Sequence, residues 1–262
     1  MIIVQYRSPS GPAYGLLEDD TVYSLAGQDI FGPLHPGAAV GPVGGLELLP
    51  PVWPGKIVAL GRNYAEHARE HAADVPTQPL IFLKAPSSVI GPGQPIVLPP
   101  LSQRVEHEAE LAVVIGKRCK AVAQVDAWQV VSGVTCANDV TARDLQRSDG
   151  QWARGKSFDT FCPLGPYLVT HLSPERLDHL EVKCRVTGPP PGGAGVQVRQ
   201  HGNTSEMIFK IPTLIAYITA VMTLYPGDVI LTGTPAGVGP LHSGDTLEVE
   251  IEQVGVLSNP VI

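Results

Sequence analysis

Residues 105–116 read Val-Glu-His-Glu-Ala-Glu-Leu-Ala-Val-Val-Ile-Gly, three alternating glutamates followed by an unbroken apolar run. Side chains of a strand alternate between its two faces, so one strand would point Glu106, Glu108 and Glu110 the same way. The apolar run is typical of a strand buried on both faces. Carboxylates that leave water together repel one another unless a cation compensates them. The stretch therefore predicts either a hard-cation site at the start of a buried strand or a solvated strand end.

A third carboxylate for such a site could come from the segment after the next apolar run, residues 130–137. Asp139 stands where that run gives way to charged residues, a usual place for a ligand at a strand end. Asp144 could serve equally, or it could merely pair with Arg143. An all-oxygen donor set favours Mg²⁺ or Mn²⁺, with Ca²⁺ possible, over zinc. Three carboxylates would leave about three of six octahedral positions for substrate and water.

The composition excludes several classes of protein. The chain has 262 residues with 18 Lys and Arg against 25 Asp and Glu, a formal net charge of −7. This acidic balance argues against a nucleic-acid or anionic-membrane partner, since both need a basic face. A hydrophobic content of 44% excludes disorder, and 28 Gly with 26 Pro predict many turns rather than long helices. The length allows one large domain or one with a small appendage.

The sequence also predicts where the protein works. Its start lacks a signal-peptide pattern, and the longest apolar stretch, residues 211–224, is too short to span a membrane and contains Pro212. The four cysteines are scattered, with no CxxC pair. A soluble cytoplasmic protein with reduced thiols is the simplest interpretation.

Strand patterns dominate the chain, and no strand–helix–strand alternation is visible. Short strands at 2–6, 14–17 and 21–25 and a Gly/Pro-rich linker at 31–55 predict a small N-terminal β domain and linker over residues 1–54, followed by the main domain over 55–262. In that domain we predict strands at 57–61, 80–83, 95–98, 106–115, 180–186, 196–200, 229–231 and 245–251. The pair at 180–200 should form a hairpin.

Few helices are predicted. Residues 63–73 form one, with Asn63 as its N-cap and Glu66 at capping-box spacing. Ser205 should cap a second helical region, which Pro212 restarts as a helix to residue 223. The fold class is therefore α+β and rich in β structure.

Two short motifs suggest other functions. Residues 150–157, Gly-Gln-Trp-Ala-Arg-Gly-Lys-Ser, fit the phosphate-binding loop, but no buried strand precedes them and no helix follows, so another use of Lys156 is expected. His67, Glu70 and His71 fit the inverted zinc-protease motif, yet a third zinc ligand cannot be identified. A His–Glu acid–base pair on a mobile helix is the preferred interpretation, with a plain surface helix as the alternative.

Seven segments occur together in an order that identifies a family. They are Val58-Ala-Leu-Gly-Arg-Asn-Tyr-Ala-Glu-His67, Phe82-Leu-Lys84, Glu108-Ala-Glu-Leu-Ala-Val-Val-Ile-Gly116, Asn138-Asp-Val-Thr-Ala-Arg-Asp144, Gly155-Lys-Ser157, Thr204-Ser-Glu-Met-Ile-Phe209 and Leu231-Thr-Gly-Thr-Pro-Ala-Gly-Val-Gly239. From Lys56 onward the chain resembles the fumarylacetoacetate hydrolase superfamily. It resembles most closely the acylpyruvase and oxaloacetate-decarboxylase branch and the bacterial homoprotocatechuate-pathway isomerase/decarboxylases.

The resemblance implies a fold and a metal site. The expected fold is a mixed β-sandwich roll of the family's C-terminal type with a small N-terminal β domain, usually assembled as a homodimer. Glu108, Glu110 and Asp139 are implied as ligands of Mg²⁺, with Mn²⁺ or Ca²⁺ possible. Glu106 falls where relatives often carry His or Asp, so it is not taken as a ligand. His71 has no place in the family pattern.

It also implies catalytic and substrate-binding residues. His67 and Glu70 would form a dyad on a lid helix, while Gln146, Lys156 and Thr234 match positions that contact substrate. A 2-oxo acid would chelate the cation, which stabilises the enolate that develops when a C–C bond breaks, with Lys156 assisting. In a hydrolase, His67 oriented by Glu70 would take a proton from water.

These residues favour a Mg²⁺-dependent C–C bond hydrolase or decarboxylase of 2-oxo acids, of acylpyruvate hydrolase or oxaloacetate decarboxylase type. Three alternatives remain open. The first is a 2-hydroxyhepta-2,4-diene-1,7-dioate isomerase / 5-oxopent-3-ene-1,2,5-tricarboxylate decarboxylase of aromatic catabolism. The second is a non-catalytic family member. The third, a nucleotide-dependent enzyme, depends on residues 150–157 alone.

Overall fold

The computed structural model describes residues 1–27, 29–70, 74–188 and 195–262. Within these ranges the strands are β1 Ile2–Ser8, β2 Gly11–Glu18, β3 Thr21–Leu25, β4 Pro36–Pro42, β5 Leu48–Leu49, β6 Ile57–Gly61, β7 Leu80–Lys84, β8 Val89–Ile90, β9 Val105–Glu106, β10 Ala109–Ile115, β11 Val131–Asn138, β12 Thr141–Ala142, β13 Cys162–Val169, β14 Glu181–Thr187, β15 Val196–Asn203, β16 Val229–Leu231, β17 Thr246–Ile251 and β18 Gly255–Pro260. The α-helices are α1 Ala65–Glu70, α2 Arg143–Asp149, α3 Ala153–Lys156, α4 Pro174–Leu177 and α5 Ile211–Val221. Short 3-10 helices cover Val43–Gly45, Pro86–Ser88, Gln124–Val130 and Thr204–Glu206.

A large mixed sheet is the frame of the molecule. Its main path runs β4-β3-β2-β1-β13-β11-β10-β16-β6-β7, with β5 beside β1 and β8 beside β13. Most pairs are antiparallel, but β16 runs parallel to β6, and β13 parallel to β8. This strand-rich mixed architecture confirms the predicted fold class.

A second sheet of four strands, in the order β15-β14-β17-β18, covers part of the first. Side chains of β10 alternate between two cores, with Val113 and Ile115 in one and Ala112 and Val114 in the other. Every residue of β10 is buried, as the apolar run predicts. Burial of both faces fixes the register of β10, because a slip of one residue would exchange all its side chains between the cores.

Several predicted elements are confirmed. The strands at 21–25, 57–61 and 229–231 have the predicted bounds, and the hairpin forms between β14 and β15. Pro212 stands in the first turn of α5, as expected for a residue that cannot donate a backbone hydrogen bond there.

The expected linker at 31–55 is wrong in part. Its middle forms β4, which pairs with β3, and Leu48–Leu49 forms β5, which pairs with β1. Proline is tolerated in β4 because this strand lies at the sheet edge, where one row of backbone groups needs no partner. Through β1 and β13 the sheet continues across the predicted domain boundary at residue 54.

Both predicted helix caps are wrong. The Asn63 side chain instead donates to the carbonyls of Phe209 and Thr232 and accepts from the Phe209 amide. Helix α1 begins only at Ala65 and is described to Glu70, so the predicted continuation over 71–73 lies outside the described residues. Asn203, rather than Ser205, caps the 3-10 helix Thr204–Glu206.

Two predicted strands also need correction. Residues 95–98 form only a single bridge, between Ile96 and Val261. The strand predicted at 106–115 is two strands, because the chain turns aside at residues 107–108 and β9 pairs with β12 instead of continuing β10. That break separates Glu106 from the two glutamates that follow it.

Candidate metal centre and active site

Three buried carboxylates meet where two antiparallel strands adjoin. Glu108 immediately precedes β10, Glu110 lies in it, and Asp139 immediately follows β11, whose Asn138 pairs with Ala109. The Asp139 amide donates to the Glu108 carbonyl at 2.9 Å, which locks the two segments together. One oxygen from each of the three side chains lies within 4.8 Å of the others. The predicted ligands are therefore close enough to share one cation.

Buried cations surround these carboxylates. Lys156 Nζ lies 2.7 Å from both Glu108 Oε2 and Asp139 Oδ2, and Lys84 Nζ lies 2.5 Å from Asp139 Oδ1. Arg143 Nη2 donates to Glu108 Oε1 at 2.7 Å. Although burial alone would raise it, Lys156 and Arg143 hold the pKa of Glu108 well below its usual range. Glu108 is thus ionised at neutral pH.

Glu110 differs from its neighbours, because no cationic side chain bonds to it among the described residues. Its Oε2 accepts from the Gly233 amide at 2.6 Å, while its buried Oε1 has no hydrogen-bond partner in the described part of the chain. Burial, reinforced by the charges of Asp139 and Glu108, raises the pKa of Glu110 well above its usual value. An unpartnered buried oxygen is costly, and a bound ion is one of the groups that can satisfy it.

The donor set fits a divalent cation. All three candidate ligands are carboxylates, the hard donors that Mg²⁺, Mn²⁺ and Ca²⁺ prefer. Each carboxylate oxygen has two lone pairs, so an oxygen bonded to Lys156 or Lys84 still has one for a cation. The free Oε1 of Glu110 supplies a donor that no protein group uses in the described residues. A cation here would keep Glu110 ionised.

The remaining acidic candidates lie outside this cluster. Glu106 accepts from Arg104 Nε at 2.6 Å and from Arg143 Nε at 2.8 Å, so it holds Arg143 rather than the cluster of three carboxylates. Asp144 accepts from the Ser102 hydroxyl and the Gln103 amide instead of pairing with Arg143, which corrects that alternative. It fastens the start of α2 to the preceding loop.

The two lid residues lie on α1 beside a cavity. His67 is buried, and its Nδ1 lies 3.6 Å from Glu70 Oε2, longer than a hydrogen bond. The Glu70 carboxylate accepts from the Gly237 amide at 3.2 Å, which connects the helix to the turn after β16. His71 lies outside the described residues.

The cavity has a volume of about 310 Å³, and Glu108 is the member of the carboxylate cluster that lines it. His67, Gln146, Lys156 and Thr234 all line it, so the structure gathers the residues predicted to contact substrate around one space. The Gln146 side chain accepts from Arg143 at 2.9 Å. Trp152 and Phe82 form an apolar wall, with ring centroids 5.1 Å apart in an edge-to-face arrangement.

The turn after β16 is built to bring Thr234 to the cavity. Gly233 has φ 94, and a Cβ there would lie 2.7 Å from Asn63 Cβ, so only glycine fits. The Thr234 hydroxyl donates to the Ala109 carbonyl at 2.7 Å and accepts from Gln200 Nε2 at 2.7 Å. Its proton is therefore committed to the protein, and toward a ligand Thr234 can only accept.

Sequence reasoning missed two contributors to the site. Buried Gln200 of β15 also accepts from the Ala109 amide and lies 2.9 Å from His107 Nδ1, so it ties the second sheet to the start of β10. No local signal marks it. Lys84 stands in one of the family segments, and a lysine at the end of an apolar strand could have suggested a buried charge partner.

The two short motifs differ in structure from the sites that their patterns suggest. Residues 150–157 directly follow α2 and include the four-residue α3, without the preceding strand that a phosphate loop needs, and Lys156 binds carboxylates. Within the described residues, the cluster able to hold a cation comprises Glu108, Glu110 and Asp139 and does not include His67. The same residues contain no helix that is both long and apolar enough to cross a bilayer.

Comparison with known protein families divides the chain in two. Residues 56–262 match the model described as fumarylacetoacetate (FAA) hydrolase C-terminal. Residues 1–51 match a second model, described as Rv2993c-like, N-terminal.

Individual relatives align with most or all of this chain. Protein Rv2993c of Mycobacterium tuberculosis is 43% identical, covering 100% of this chain and 98% of that protein. The human mitochondrial oxaloacetate tautomerase FAHD2B is 49% identical over 82% of this chain and 69% of its own length. A crystal structure named 5-carboxymethyl-2-hydroxymuconate delta-isomerase, from Mycobacterium smegmatis, is 43% identical with a TM-score of 0.88, covering 100% of this chain and 99% of that one.

Proposed function

Because this chain belongs to the fumarylacetoacetate hydrolase C-terminal family, a family of enzymes, we propose that it catalyses a divalent-cation-dependent reaction of small 2-oxo acids through their enols. One observation carries the proposal. A buried cluster of three carboxylates, one with an unpartnered oxygen, reaches through Glu108 the wall of a cavity that Lys156 and His67 also line. Such a cluster suits a cation that a 2-oxo acid can chelate.

Glu108, Glu110 and Asp139 would hold the cation, which supplies positive charge to the oxygens of a chelating 2-oxo acid when bound. Lys156 adds a second positive charge beside the same oxygens. It is buried, and the carboxylates of Asp139 and Glu108 raise its pKa although burial opposes this, so it stays protonated. A fixed charge in a buried site favours an oxyanion more strongly than an exposed one would.

His67 is the group proposed to move the proton. It lines the cavity, and Glu70 stands 3.6 Å away to orient the ring and to stabilise its protonated form. The Gly237 amide holds Glu70 in turn. A small rotation of the His67 or Glu70 side chain when substrate binds would shorten their distance to a hydrogen bond, since such contacts often tighten only in the complex.

The first candidate reaction is the tautomerisation of oxaloacetate between its enol and keto forms. It needs only that a proton leave one atom and return to another, which one histidine and one stabilised oxyanion can accomplish. The relative named oxaloacetate tautomerase and the structure named as an isomerase support proton transfer over bond cleavage. Isomerisation, which the sequence left open as an alternative, is therefore the first candidate type of reaction.

The test uses the purified full-length protein with Mg²⁺ and oxaloacetate. Loss of the enol is followed by its ultraviolet absorbance, and pyruvate and CO₂ are measured in parallel. We expect enol–keto conversion faster than with Mg²⁺ alone, without matching pyruvate release. If enol loss never exceeds the rate with Mg²⁺ alone, tautomerisation is excluded.

Hydrolysis or decarboxylation is the second candidate, and the His67–Glu70 pair favours it because such a pair can activate water. Acetylpyruvate cleavage would reveal the hydrolase and pyruvate release from oxaloacetate the decarboxylase. Cation binding without turnover of any 2-oxo acid would instead indicate a non-catalytic member of the family.

A further inference from the structure

Two arginines on the wall of the cavity have no role in the chemistry above. Arg62 directly follows β6 and is half-buried, while Arg147 lies on α2 and is exposed. Arg147 stands one helical turn beyond Arg143, so both side chains share a face of α2, with Arg143 directed into the carboxylate cluster. Arg147 therefore lies on the solvent side of the cluster.

Among the residues that line the cavity, the positive charges of Arg62 and Arg147 have no acidic partner. Glu108 is the acidic residue among the lining residues, and it is already bonded to Arg143 and Lys156. The side chains of Arg62 and Arg147 form no ion pair or hydrogen bond with any described residue, and none of the residues at 28, 71–73 and 189–194 is acidic in sequence. In a chain of net charge −7, two uncompensated guanidinium groups face one small cavity.

The backbone at Arg62 supports a functional reason for its side chain. Arg62 has φ 57, a left-handed conformation that glycine adopts freely and other residues rarely do. Next to it, Gly61 lets Trp152 approach so closely that a Cβ would lie 2.5 Å from the ring. The wall that carries Arg62 is thus packed tightly, and the arginine stands in a position where local sterics favour glycine.

We propose that Arg62 and Arg147 form a subsite for a second carboxylate, so that the enzyme selects 2-oxo dicarboxylates over 2-oxo monocarboxylates. This inference rests on the proposed function, because it places the 2-oxo end of the ligand at the carboxylate cluster. Arginine presents a planar fork that matches a carboxylate in two-point contact. The small volume of the cavity suits a short diacid in which one end reaches the cluster and the other the two arginines.

The test compares two ligands that differ only at the distal end. Oxaloacetate and 2-oxobutanoate both have four carbons, but the second carries a methyl group in place of the distal carboxylate. Affinities for the Mg²⁺-loaded full-length protein are measured by isothermal titration calorimetry. We expect the wild type to bind oxaloacetate about tenfold more tightly, as charge-assisted bonds to arginine predict.

Arg147→Gln and Arg62→Gln should each remove most of that preference, whereas Arg147→Lys should retain part of it. Their affinity for 2-oxobutanoate should stay within about twofold of wild type, since the methyl end makes no charged contact. Arg154→Gln is the matched control. Arg154 is exposed, pairs with Asp149 and does not line the cavity, so both affinities should be unchanged.

Equal affinity of the wild type for the two ligands would overturn the inference, as would equal losses for both ligands in the variants. The second result would show that the arginines bind the carboxylate common to both. Turnover is measured separately. A dicarboxylate preference in a protein that turns over neither ligand would refute the proposed function and leave the subsite standing.

Discussion

Glu110 is the residue on which the metal assignment depends most. Its Oε1 is buried without a hydrogen-bond partner in the described part of the chain, and burial with the charges of Asp139 and Glu108 raises its pKa, which favours the protonated form when no cation is bound. A protonated carboxyl and an amide have nearly the same shape and charge. Replacing one with the other should therefore affect the cation rather than the fold.

We predict that Glu110→Gln lowers Mn²⁺ affinity at least tenfold, because ligand charge sets the affinity of such sites. Its free energy of unfolding without metal should change by less than about 1 kcal/mol. Calorimetric titration with Mn²⁺ and denaturant unfolding in EDTA measure the two quantities. Unchanged Mn²⁺ affinity would remove Glu110 from the ligand set.

A substitution of His67 should separate proton transfer from cation binding. His67→Gln should reduce turnover of oxaloacetate by roughly 10²–10⁴-fold, the usual contribution of a positioned acid–base group. The affinity for Mn²⁺ should remain that of the wild type, since His67 stands outside the cation-binding cluster. Glu66→Gln on the same helix is the control, because Glu66 is exposed and does not line the cavity. If His67→Gln abolished metal binding, the zinc interpretation of the motif at 67–71 would revive.

At the scale of elements, the second sheet supports the site through one side chain of β15. Gln200 holds Thr234, the Pro235 carbonyl and the Ala109 amide at once. Gln200→Leu leaves these buried groups without partners, so we expect the free energy of unfolding to fall by about 2–4 kcal/mol. Turnover should fall as well, since the Gly-Thr-Pro turn loses its anchor.

The matched control for this variant is Gln197→Leu, the same change at an exposed position of the same strand. It should alter the free energy of unfolding by no more than about 0.5 kcal/mol. Denaturant unfolding of both variants checks the pair. Equal stability of the two variants would show that Gln200 does not anchor the turn.

Elements with a strong local pattern could be predicted from the sequence. The apolar run of β10 and the two strand patterns of the β14–β15 hairpin carry their own signals, and these strands form and pair. Features that depend on distant partners could not be predicted. Asn63 has the composition and spacing of a helix cap, but its hydrogen bonds go to Phe209 and Thr232, which no local pattern reveals.

The residues of the candidate site also fall into those with a local sequence pattern and those that depend on distant partners. The three candidate ligands could be predicted from the sequence. Glutamates that alternate along one strand, and an aspartate directly after an apolar run, are patterns of neighbouring residues. Glu106 falls out of line since the chain breaks between β9 and β10, and its partners are arginines. Gln200 and Lys84 join the site only through the pairing of strands far apart in sequence, so their roles required the structure.

At the scale of the whole molecule, the cation should couple to folding. The three candidate ligands come from two strands that meet only in the folded chain, so a cation that binds them stabilises the folded state alone. At a concentration one hundred times its dissociation constant, Mg²⁺ or Mn²⁺ should add about 2.7 kcal/mol to the free energy of unfolding. Thermal melting with and without EDTA measures this, and Asp139→Asn should abolish the difference. A wild-type melting temperature indifferent to metal would contradict the coupling.

The most direct test of the central claim is the metal dependence of oxaloacetate turnover. Wild type and Asp139→Asn are stripped with EDTA, desalted and assayed before and after Mg²⁺ is restored, with Mg²⁺ alone as the background. We expect no turnover above background in the stripped wild type, full recovery with Mg²⁺, and no recovery in Asp139→Asn. Turnover by the stripped wild type equal to that of the Mg²⁺-loaded protein, or recovery of Asp139→Asn to wild-type turnover, would contradict the account.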